Sequence, residues 1–186
     1  MKVCMSEKQT KFFIEKLKKS KGYLEFGCGG STIEANKYCD KIISIDNCLE
    51  WINKVKDNAI DVKRIEFNYI NMPIQHNNWG HPTLDCLDED KRKYSQIIDD
   101  KDLSMIDLVL IDGRFRVACA LHIFNKINDN AIILFDDYIP RKYMYGIIEN
   151  YYDIVNVIDN NMVELKKKTN VIIDNNIIKK YEIDGR

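Results

Sequence analysis

The sequence lacks an excess of charge of either sign. Its 28 Lys and Arg residues nearly balance its 29 Asp and Glu residues, and the formal net charge is -1. Nucleic acids and anionic membrane surfaces are bound chiefly through clustered positive charge. We therefore expect neither nucleic acid nor a membrane as a partner.

The sequence also lacks long apolar segments and paired cysteines. The N-terminal stretch MKVCMSEKQTK is too polar for a signal peptide, and no later segment is long and apolar enough to span a bilayer. No C-x-x-C pair or Cys/His spacing typical of a metal site occurs among the six cysteines, which are Cys4, Cys28, Cys39, Cys48, Cys86 and Cys119. Scattered reduced thiols without an export signal predict a cytoplasmic protein.

What the sequence does contain is a regular alternation of helical and strand patterns. Its 186 residues, 45% of them hydrophobic, suit one globular domain. Helical spacing predicts a first helix over residues 6–20, which begins with a capping box of Ser6 and Gln9. Strand patterns occur over residues 23–26, 41–45, 62–69, 106–111, 131–135, 153–159 and 162–167. This order predicts an α/β fold with a mostly parallel seven-stranded sheet and a closing antiparallel hairpin.

Two segments stand outside this alternation. Residues 70–104 are polar and irregular apart from a helical pattern near residues 87–98, and so long a connection in a compact domain is more often functional than idle. Residues 169–186 extend the predicted domain of residues 1–168 and contain the pair Asn175-Asn176, which we interpret as the turn of a further hairpin. Because an exposed hairpin can pair with a second copy of the chain, a homodimer is a hypothesis.

Acidic side chains lie at or near the ends of four predicted strands. They are Glu25, Asp46, Asp112 and the adjacent pair Asp136 and Asp137. Ligands of α/β sheets bind outside the carboxyl ends of the strands, near the point where the strand order reverses. The five carboxylates are therefore expected to converge on one rim of the sheet.

The stretch YLEFGCGGST, residues 23–32, predicts a tight turn beside a nucleotide-like ligand. It does not match a dinucleotide fingerprint, because Thr32 stands where the third glycine belongs, and it lacks the lysine of a P-loop. Both of those motifs bind phosphate, which the nearby carboxylate of Glu25 would repel. S-adenosylmethionine has an ammonium group, a sulfonium and no phosphate, so the carboxylate of Glu25 would not repel it. Asp46 stands nineteen residues after Gly27, a distance that suits a carboxylate that binds the ribose of this ligand.

The residues EFGCGGST followed by IISID resemble motif I and the next acidic motif of the class I S-adenosylmethionine-dependent methyltransferases. The resemblance extends over residues 6–167 and implies a Rossmann-like fold with this cofactor. It also implies that Glu25, Gly27 and Gly29 line the methionine part. Asp46 would then hold the ribose, and the adenine would lie near Tyr69, Ile70 and Asn71. The predicted cofactor-binding residues are Glu25, Gly27, Cys28, Gly29, Ser31, Asp46, Asn47 and Asn71.

The acids after the fourth and fifth strands predict a metal site. The carboxylates of Asp112, Asp136 and Asp137 would repel one another if left alone, and a hard divalent cation such as Mg2+ would relieve this repulsion. Their placement resembles the metal site of cation-dependent O-methyltransferases of the catechol and macrocin types. The alternative is that Asp112 pairs with Arg114 or Arg116 and that Asp137 caps a turn.

The segment GRFR, residues 113–116, departs from the catechol type, in which a lysine near this position is the general base. Arginine stays protonated and is a poor base. Arg114 and Arg116 fit better as anchors for a carboxylate or phosphate on the substrate, or as partners of the acids. His81, close to Trp79 in the long connection, is a candidate base. The predicted catalytic residues are Asp112, Asp137, Arg114 and His81.

The resemblance implies transfer of a methyl group from S-adenosylmethionine to a hydroxyl group of a small molecule. Similarity to the macrocin type makes a sugar or nucleotide-sugar the expected acceptor. One alternative is N-methylation of a small metabolite. Another is a catalytically inactive methyltransferase fold that serves as a binding subunit, against which the intact Glu25, Gly27, Gly29 and Asp46 argue.

Overall fold

The computed structural model covers residues 1–186 and contains one seven-stranded sheet and a small separate hairpin. The strands are β1 (Gly22–Phe26), β2 (Lys41–Asp46), β3 (Ile65–Tyr69), β4 (Ile74–Gln75), β5 (His81–Pro82), β6 (Leu108–Ile111), β7 (Ile132–Phe135), β8 (Tyr152–Ile158) and β9 (Met162–Lys167). The sheet order is β3-β2-β1-β6-β7-β9-β8. The first five of these strands are parallel, and β9 runs antiparallel to both of its neighbours. The predicted fold class is confirmed.

Seven α-helices accompany the sheet. They are α1 (Glu7–Leu17), α2 (Gly30–Ala35), α3 (Leu49–Asn58), α4 (Asp88–Gln96), α5 (Arg116–Ile123), α6 (Lys142–Tyr145) and α7 (Asn175–Tyr181), with 3-10 turns at Val62–Arg64 and Gly146–Asn150. α1 begins with the predicted capping box, in which Ser6 and Gln9 each accept a hydrogen bond from the other's backbone N–H. None of these helices has the length and apolar character needed to cross a membrane.

Alternation along the strands places successive side chains on opposite faces of the sheet. Within β6, Leu108 and Leu110 belong to a smaller core that includes residues of α1, whereas Val109 and Ile111 belong to a larger core that includes residues of α4 and α5. All four side chains are buried. A strand covered on both faces has no polar positions, which is why it is a continuous apolar run in the sequence.

The third strand is shorter than predicted. Residues Val62–Arg64 form a 3-10 turn, whose first N–H groups are capped when the Asp61 side chain accepts a hydrogen bond from Lys63 N at 3.1 Å. Such a local side-chain bond gives the backbone an alternative to strand pairing. β3 therefore begins at Ile65 rather than at residue 62.

The predicted C-terminal hairpin is wrong. The segment instead forms α7, which Asp174 caps by accepting a hydrogen bond from Asn176 N at 2.8 Å. Ile177 and Ile178 of this helix pack against the larger core. A short helix is stabilised mainly by such packing, and a tight turn at the Asn-Asn pair would forfeit it. The homodimer hypothesis loses the hairpin on which it rested.

The connection of residues 70–104 contains the small hairpin and α4. β4 and β5 are antiparallel, with Ile74 opposite Pro82 and Gln75 opposite His81. The turn between them is held to the carboxyl end of β2, because Asn47 Nδ2 donates a hydrogen bond to Gly80 O at 2.8 Å. The hairpin therefore lies beside the rim on which the acidic residues were expected.

Candidate functional site

The strand order reverses between β1 and β6, which lie side by side in the sheet. Ligands of open α/β sheets bind at such a point. Asp46 is the last residue of β2, Asp112 directly follows β6, and Asp136 directly follows β7. These acids, with Asp137, lie on one rim of the sheet. Glu25 is the exception, since it lies within β1 and has no exposed surface.

Glu25 is enclosed by hydroxyl groups. Its carboxylate accepts hydrogen bonds from Tyr23 Oη at 2.9 Å, Ser31 Oγ at 2.7 Å, Ser44 Oγ at 2.7 Å and Thr32 Oγ1. Burial raises the pKa of Glu25 to about 7, although these hydrogen bonds favour the ionised form. Glu25 and Ser31 therefore support the glycine turn from beneath and do not face the rim.

Gly27 uses a conformation that suits only glycine. Its φ is 96°, and a Cβ there would lie 2.9 Å from both Gly113 Cα and Gly113 N. The ends of β1 and β6 therefore approach each other backbone to backbone at the switch point. Gly29 N donates a hydrogen bond to Thr32 Oγ1 at 2.9 Å, so Thr32 stabilises this turn where a dinucleotide motif has its third glycine.

Asp46 joins the glycine turn to the end of β2. One of its carboxylate oxygens accepts a hydrogen bond from Cys28 N at 2.8 Å, and the other accepts one from Cys48 N at 2.7 Å. Burial raises the pKa of Asp46. Trp51 Nε1 donates to Cys28 O at 2.6 Å and holds the same turn from α3. Hydrogen bonds from uncharged backbone N–H groups therefore hold the Asp46 carboxylate next to Cys28.

A cavity of about 340 Å3 opens at the ends of β2 and β3. Leu49, Tyr69, Met72 and Ile74 give it apolar walls, and its polar groups come from Asn47, Glu50, His76, Thr83 and Asp85. Polar groups placed around apolar walls can fix the orientation of a bound small molecule. This lining suits a planar heterocycle joined to a ribose, on the side of the glycine turn where the adenosine is expected.

Asn71, the predicted neighbour of the adenine, lies outside this cavity. It is exposed, accepts a hydrogen bond from Tyr69 Oη at 3.2 Å and lines a neighbouring cavity of about 470 Å3. Met72, Thr83 and Asp85 line the first cavity but are absent from the predicted set. They belong to the irregular connection of residues 70–104, where no motif or periodicity marks them.

Arg116 lies among the acids that follow β6 and β7. Its Nη2 is 3.0 Å from Asp112 Oδ1 and 3.4 Å from Asp137 Oδ2, and its Nη1 donates to Asp136 O at 2.6 Å. Its Nε donates to Gly113 O at 3.0 Å, so every guanidinium nitrogen has a partner. The side chain is only 3% exposed. The structure therefore shows the alternative in which Asp112 pairs with an arginine.

Asp136 is held by neutral amides. Its Oδ1 accepts hydrogen bonds from Gln9 Nε2 at 3.0 Å and from Asn161 Nδ2 at 3.2 Å. Burial, followed by repulsion from Asp112, raises the pKa of Asp136 to about 7. The Asp136 side chain is thus hydrogen-bonded both to α1, through Gln9, and to the turn between β8 and β9, through Asn161.

The predicted metal ligands are close together but are already paired. One carboxylate oxygen from each of Asp112, Asp136 and Asp137 lies within 4.8 Å of the others, which is compatible with a shared cation. However, Arg116 is placed between two of them, and Arg141 Nη2 is 3.1 Å from Asp137 Oδ2. The guanidinium of Arg116 supplies the positive charge that a cation would bring. A divalent ion would have to compete with Arg116 for the carboxylates of Asp112 and Asp137.

Arg114 has a different environment, although it lies only two residues from Arg116. It is 6% exposed, and no carboxylate is within ion-pair distance of it. Its Nη1 contacts His81 Nε2, and its Nε has no hydrogen-bond partner. Burial, followed by repulsion from Arg116, lowers the pKa of Arg114.

His81 is brought to the same part of the rim. A guanidinium only donates, so His81 Nε2 is the acceptor and Nδ1 carries the proton of the neutral ring. Burial, followed by repulsion from Arg114, lowers the pKa of His81 and keeps the ring neutral. As arranged, its Nε2 lone pair is engaged by Arg114. Trp79, at the tip of the hairpin, is 82% exposed and does not cover the rim.

Comparison with solved structures identifies the fold. The chain is similar to a methyltransferase-like protein from Silicibacter pomeroyi, with a TM-score of 0.78 and 20% identity over 100% of this chain and 98% of that one. It is similar to an O-methyltransferase from Bacillus cereus in complex with SAH, with a TM-score of 0.60 and 15% identity over 88% and 82% of the two chains. For the N-methyltransferase NodS from Bradyrhizobium japonicum, the TM-score is 0.54 and the identity 11%, over 87% and 96%.

No protein-family profile matches the sequence, and no curated protein is significantly similar to it. The structural likeness shows that the chain has the Rossmann-like fold of the class I methyltransferases, which the resemblance of its motifs predicted. O- and N-methyltransferases match alike. The acceptor must therefore be inferred from the site rather than from the fold.

Proposed function

We propose that the protein is an S-adenosylmethionine-dependent methyltransferase. One arrangement carries this proposal: in a class I methyltransferase fold, the Gly27 turn at the switch point is fixed by Asp46, and the next residue, Asn47, lines a cavity of about 340 Å3 at the ends of β2 and β3. A rim with a nearly buried carboxylate and no phosphate-binding lysine suits a positively charged ligand. The adenosine would lie against Leu49, Tyr69 and Met72, with its ribose towards Asp46.

The proposed acceptor atom is a hydroxyl oxygen, on a sugar or nucleotide-sugar. Bound S-adenosylmethionine supplies a methyl group on a positively charged sulfur, which leaves as a neutral thioether. The residues of the chain have to hold the acceptor oxygen in line and to take its proton. Asp112 is the proposed base, because it ends β6 against the Gly27 turn and its side chain is 32% exposed. Asp137, whose side chain is 29% exposed, offers a second acceptor for sugar hydroxyls.

We propose that this transfer needs no divalent cation. If Mg2+ were bound, Asp112, Asp136 and Asp137 would hold it. The supporting observation is that Arg116 donates to the Asp112 carboxylate at 3.0 Å and makes an ion pair with Asp137 at 3.4 Å, so that it neutralises the cluster from within. A buried guanidinium with all of its nitrogens paired is held firmly in place. Arg116 would then orient the Asp112 carboxylate towards the acceptor.

We also propose a cytoplasmic location. All six cysteines are free, and four of them are buried. Buried free thiols without disulfides are typical of a reducing compartment.

A methyl-transfer assay tests the proposed function. Purified protein is incubated with S-adenosylmethionine and a panel of sugars, nucleotide-sugars and small amines, and both S-adenosylhomocysteine and the methylated product are measured by mass spectrometry. We expect product from a hydroxyl acceptor, with and without EDTA, and none from the Asp46→Ala variant. Methylation of an amine would support the N-methyltransferase alternative. Binding of S-adenosylhomocysteine without transfer to any acceptor would support a binding subunit.

A further inference from the structure

Arg114 is the one arginine of the rim that has no carboxylate partner. Its neighbour Arg116 makes ion pairs with Asp112 and Asp137, whereas Arg114 has no carboxylate within 4.0 Å. Its residue exposure is 6%, and its Nε has neither a protein partner nor contact with solvent. Its backbone is held in place, because Arg114 N donates to Tyr94 Oη at 3.4 Å and Arg114 O accepts from Cys119 Sγ at 3.5 Å.

A buried charge without a counter-charge is costly for folding. Transfer of an ion from water into the protein costs several kcal/mol unless a partner ion or several hydrogen bonds offset the loss. The only hydrogen-bond partner of the Arg114 guanidinium is the neutral ring of His81. An arrangement of this kind is typical of a site in which a bound anion completes the interactions.

Two further arginines, Arg116 and Arg141, lie near Arg114 on the rim, where all three act on the charge of His81. Arg141, which follows β7, is 40% exposed and lies close enough to Asp137 to pair with it at 3.1 Å. The adenosine cavity lies on the other side of the glycine turn, at the ends of β2 and β3. The β6–β7 side, away from the cofactor cavity, therefore combines three arginines with the carboxylates of Asp112, Asp136 and Asp137, and Arg114 is the arginine that these acids leave unpaired.

We propose that Arg114 binds an oxyanion, a phosphate or carboxylate, carried by the methyl acceptor. This inference rests on the proposed function and narrows its acceptor to an anionic molecule. The guanidinium would present Nε and Nη2 to two oxygens of the anion, in the fork geometry that arginine uses for carboxylates and phosphates. Because Nε has no contact with solvent in the ligand-free structure, the side chain has to shift when the anion binds. His81 would orient the guanidinium from its other side. Arg114 is then a specificity-determining residue, and Arg116 remains the structural one.

Calorimetric titration with inorganic phosphate tests this assignment, in protein saturated with S-adenosylhomocysteine. We expect the wild-type protein to bind phosphate, and Arg114→Gln to lower that affinity by about 10- to 100-fold, the effect of losing charge-assisted hydrogen bonds. Arg64→Gln is the matched control, since Arg64 is exposed and pairs with Asp61 far from the rim. It should bind phosphate like the wild type. Arg114→Lys keeps the charge without the fork and should give an intermediate affinity, which also provides a readout if Arg114→Gln folds poorly.

The thermal stability of the ligand-free protein gives a second readout. Because Arg114→Gln removes an uncompensated buried charge, its melting temperature should equal or exceed that of the wild type. A clear drop, together with unchanged phosphate affinity, would show that Arg114 is structural and would overturn the proposal.

The carboxylate of the cofactor is the other possible source of the anion. Titration with S-adenosylhomocysteine and with methylthioadenosine, which lacks that carboxylate, separates the two. If Arg114→Gln weakens only the first ligand and phosphate does not bind, Arg114 holds the cofactor and the proposal is wrong. If the wild-type protein does not bind S-adenosylhomocysteine at all, the proposed function fails, and the acceptor assignment fails with it.

Discussion

The two halves of the rim are built from different interactions. On the β1–β2 side, Glu25 and Asp46 accept hydrogen bonds only from hydroxyls and backbone N–H groups. On the β6–β7 side, carboxylates meet guanidinium groups, and one arginine has no acid at all. Hydrogen bonds from uncharged donors hold the carboxylates in one orientation without adding charge to the site. Charged side chains create an electrostatic field that can favour a substrate of complementary charge.

This difference suggests that one half of the rim binds the cofactor and the other half binds the methyl acceptor. The neutral half would hold a ligand that is the same in every turnover, which is what a cofactor requires. The charged half would recognise the variable partner, the acceptor. A variant that disrupts one half should therefore leave the binding properties of the other half unchanged.

Loss of Arg116 should have the largest effect on stability. Arg116→Ala leaves Asp112 without an ion-pair partner and Asp137 with Arg141 alone, and we expect it to lower the free energy of unfolding by about 3–5 kcal/mol at neutral pH. Urea denaturation measures this change. Affinity for S-adenosylhomocysteine should change little in protein that remains folded, because the cofactor half does not contact Arg116.

The same variant tests the metal question. With Arg116 removed, Mg2+ or Mn2+ gains access to the three carboxylates, so either cation should raise the melting temperature of Arg116→Ala and not that of the wild type. A comparable rise in the wild type, or loss of wild-type activity in EDTA, would show that a cation binds despite Arg116 and would contradict our proposal.

Substitution of Gly27 breaks the cofactor half. Gly27→Ala combines a φ of 96° with a contact of 2.9 Å to the Gly113 backbone, and neither can relax through a side-chain rotation. We expect a loss of roughly 2–3 kcal/mol in stability and loss of measurable S-adenosylhomocysteine binding. Gly146→Ala is the control, because a Cβ at Gly146 meets nothing within 4 Å. Equal effects of the two variants would contradict the role assigned to the turn.

Glu25 should make stability depend on pH. Burial raises its pKa from 4.5 to about 7, so the stabilisation from its protonated form is complete below pH 4.5 and is lost as the pH rises through about 7. Between pH 5 and pH 8 this group should lower the free energy of unfolding by about 2 kcal/mol. Urea denaturation at the two pH values measures the loss, which Glu25→Gln should reduce.

Glu89→Gln, at a side chain that is 84% exposed, should keep the full pH dependence. Some dependence should remain even in Glu25→Gln, because the raised pKa of Asp136 acts in the same direction. An unchanged slope in Glu25→Gln would mean that the four hydroxyls keep the carboxylate ionised throughout this range.

The smallest effect is expected at Trp79. Its side chain is 82% exposed at the tip of the β4–β5 hairpin, so Trp79→Ala should change stability by less than about 0.5 kcal/mol. Affinity for S-adenosylhomocysteine should also be unchanged. A marked loss of that affinity would show that the tip closes over the cofactor half, and calorimetry with the variant would detect it.

The sequence was informative where a local pattern and its structural cause coincide. Continuous apolar runs such as LVLI in β6 mark strands covered on both faces, and the capping box marks the start of α1. Asp46 and Asp112 could be predicted as residues of the site because the carboxyl ends of parallel strands meet at one edge of the sheet. These features depend on short segments and on sheet topology.

Other features depend on long-range packing that no short segment reveals. The Asn-Asn pair before Ile177 resembles a turn, but packing against the larger core, together with the Asp174 cap, makes the segment a helix. The sequence also does not distinguish Arg114 from Arg116. Phe115, between them, has a left-handed backbone with a φ of 53°, so its two neighbours reach different partners. The burial of Glu25 likewise depends on Ser44 of the adjacent strand.

Calorimetric titration with S-adenosylhomocysteine, with ATP and NADH as comparison ligands, tests the central claim most directly. We predict one-to-one binding of S-adenosylhomocysteine that Asp46→Ala abolishes, and no binding of either phosphate-containing nucleotide at the glycine turn. Binding of ATP or NADH that Asp46→Ala alters, without binding of S-adenosylhomocysteine, would contradict it.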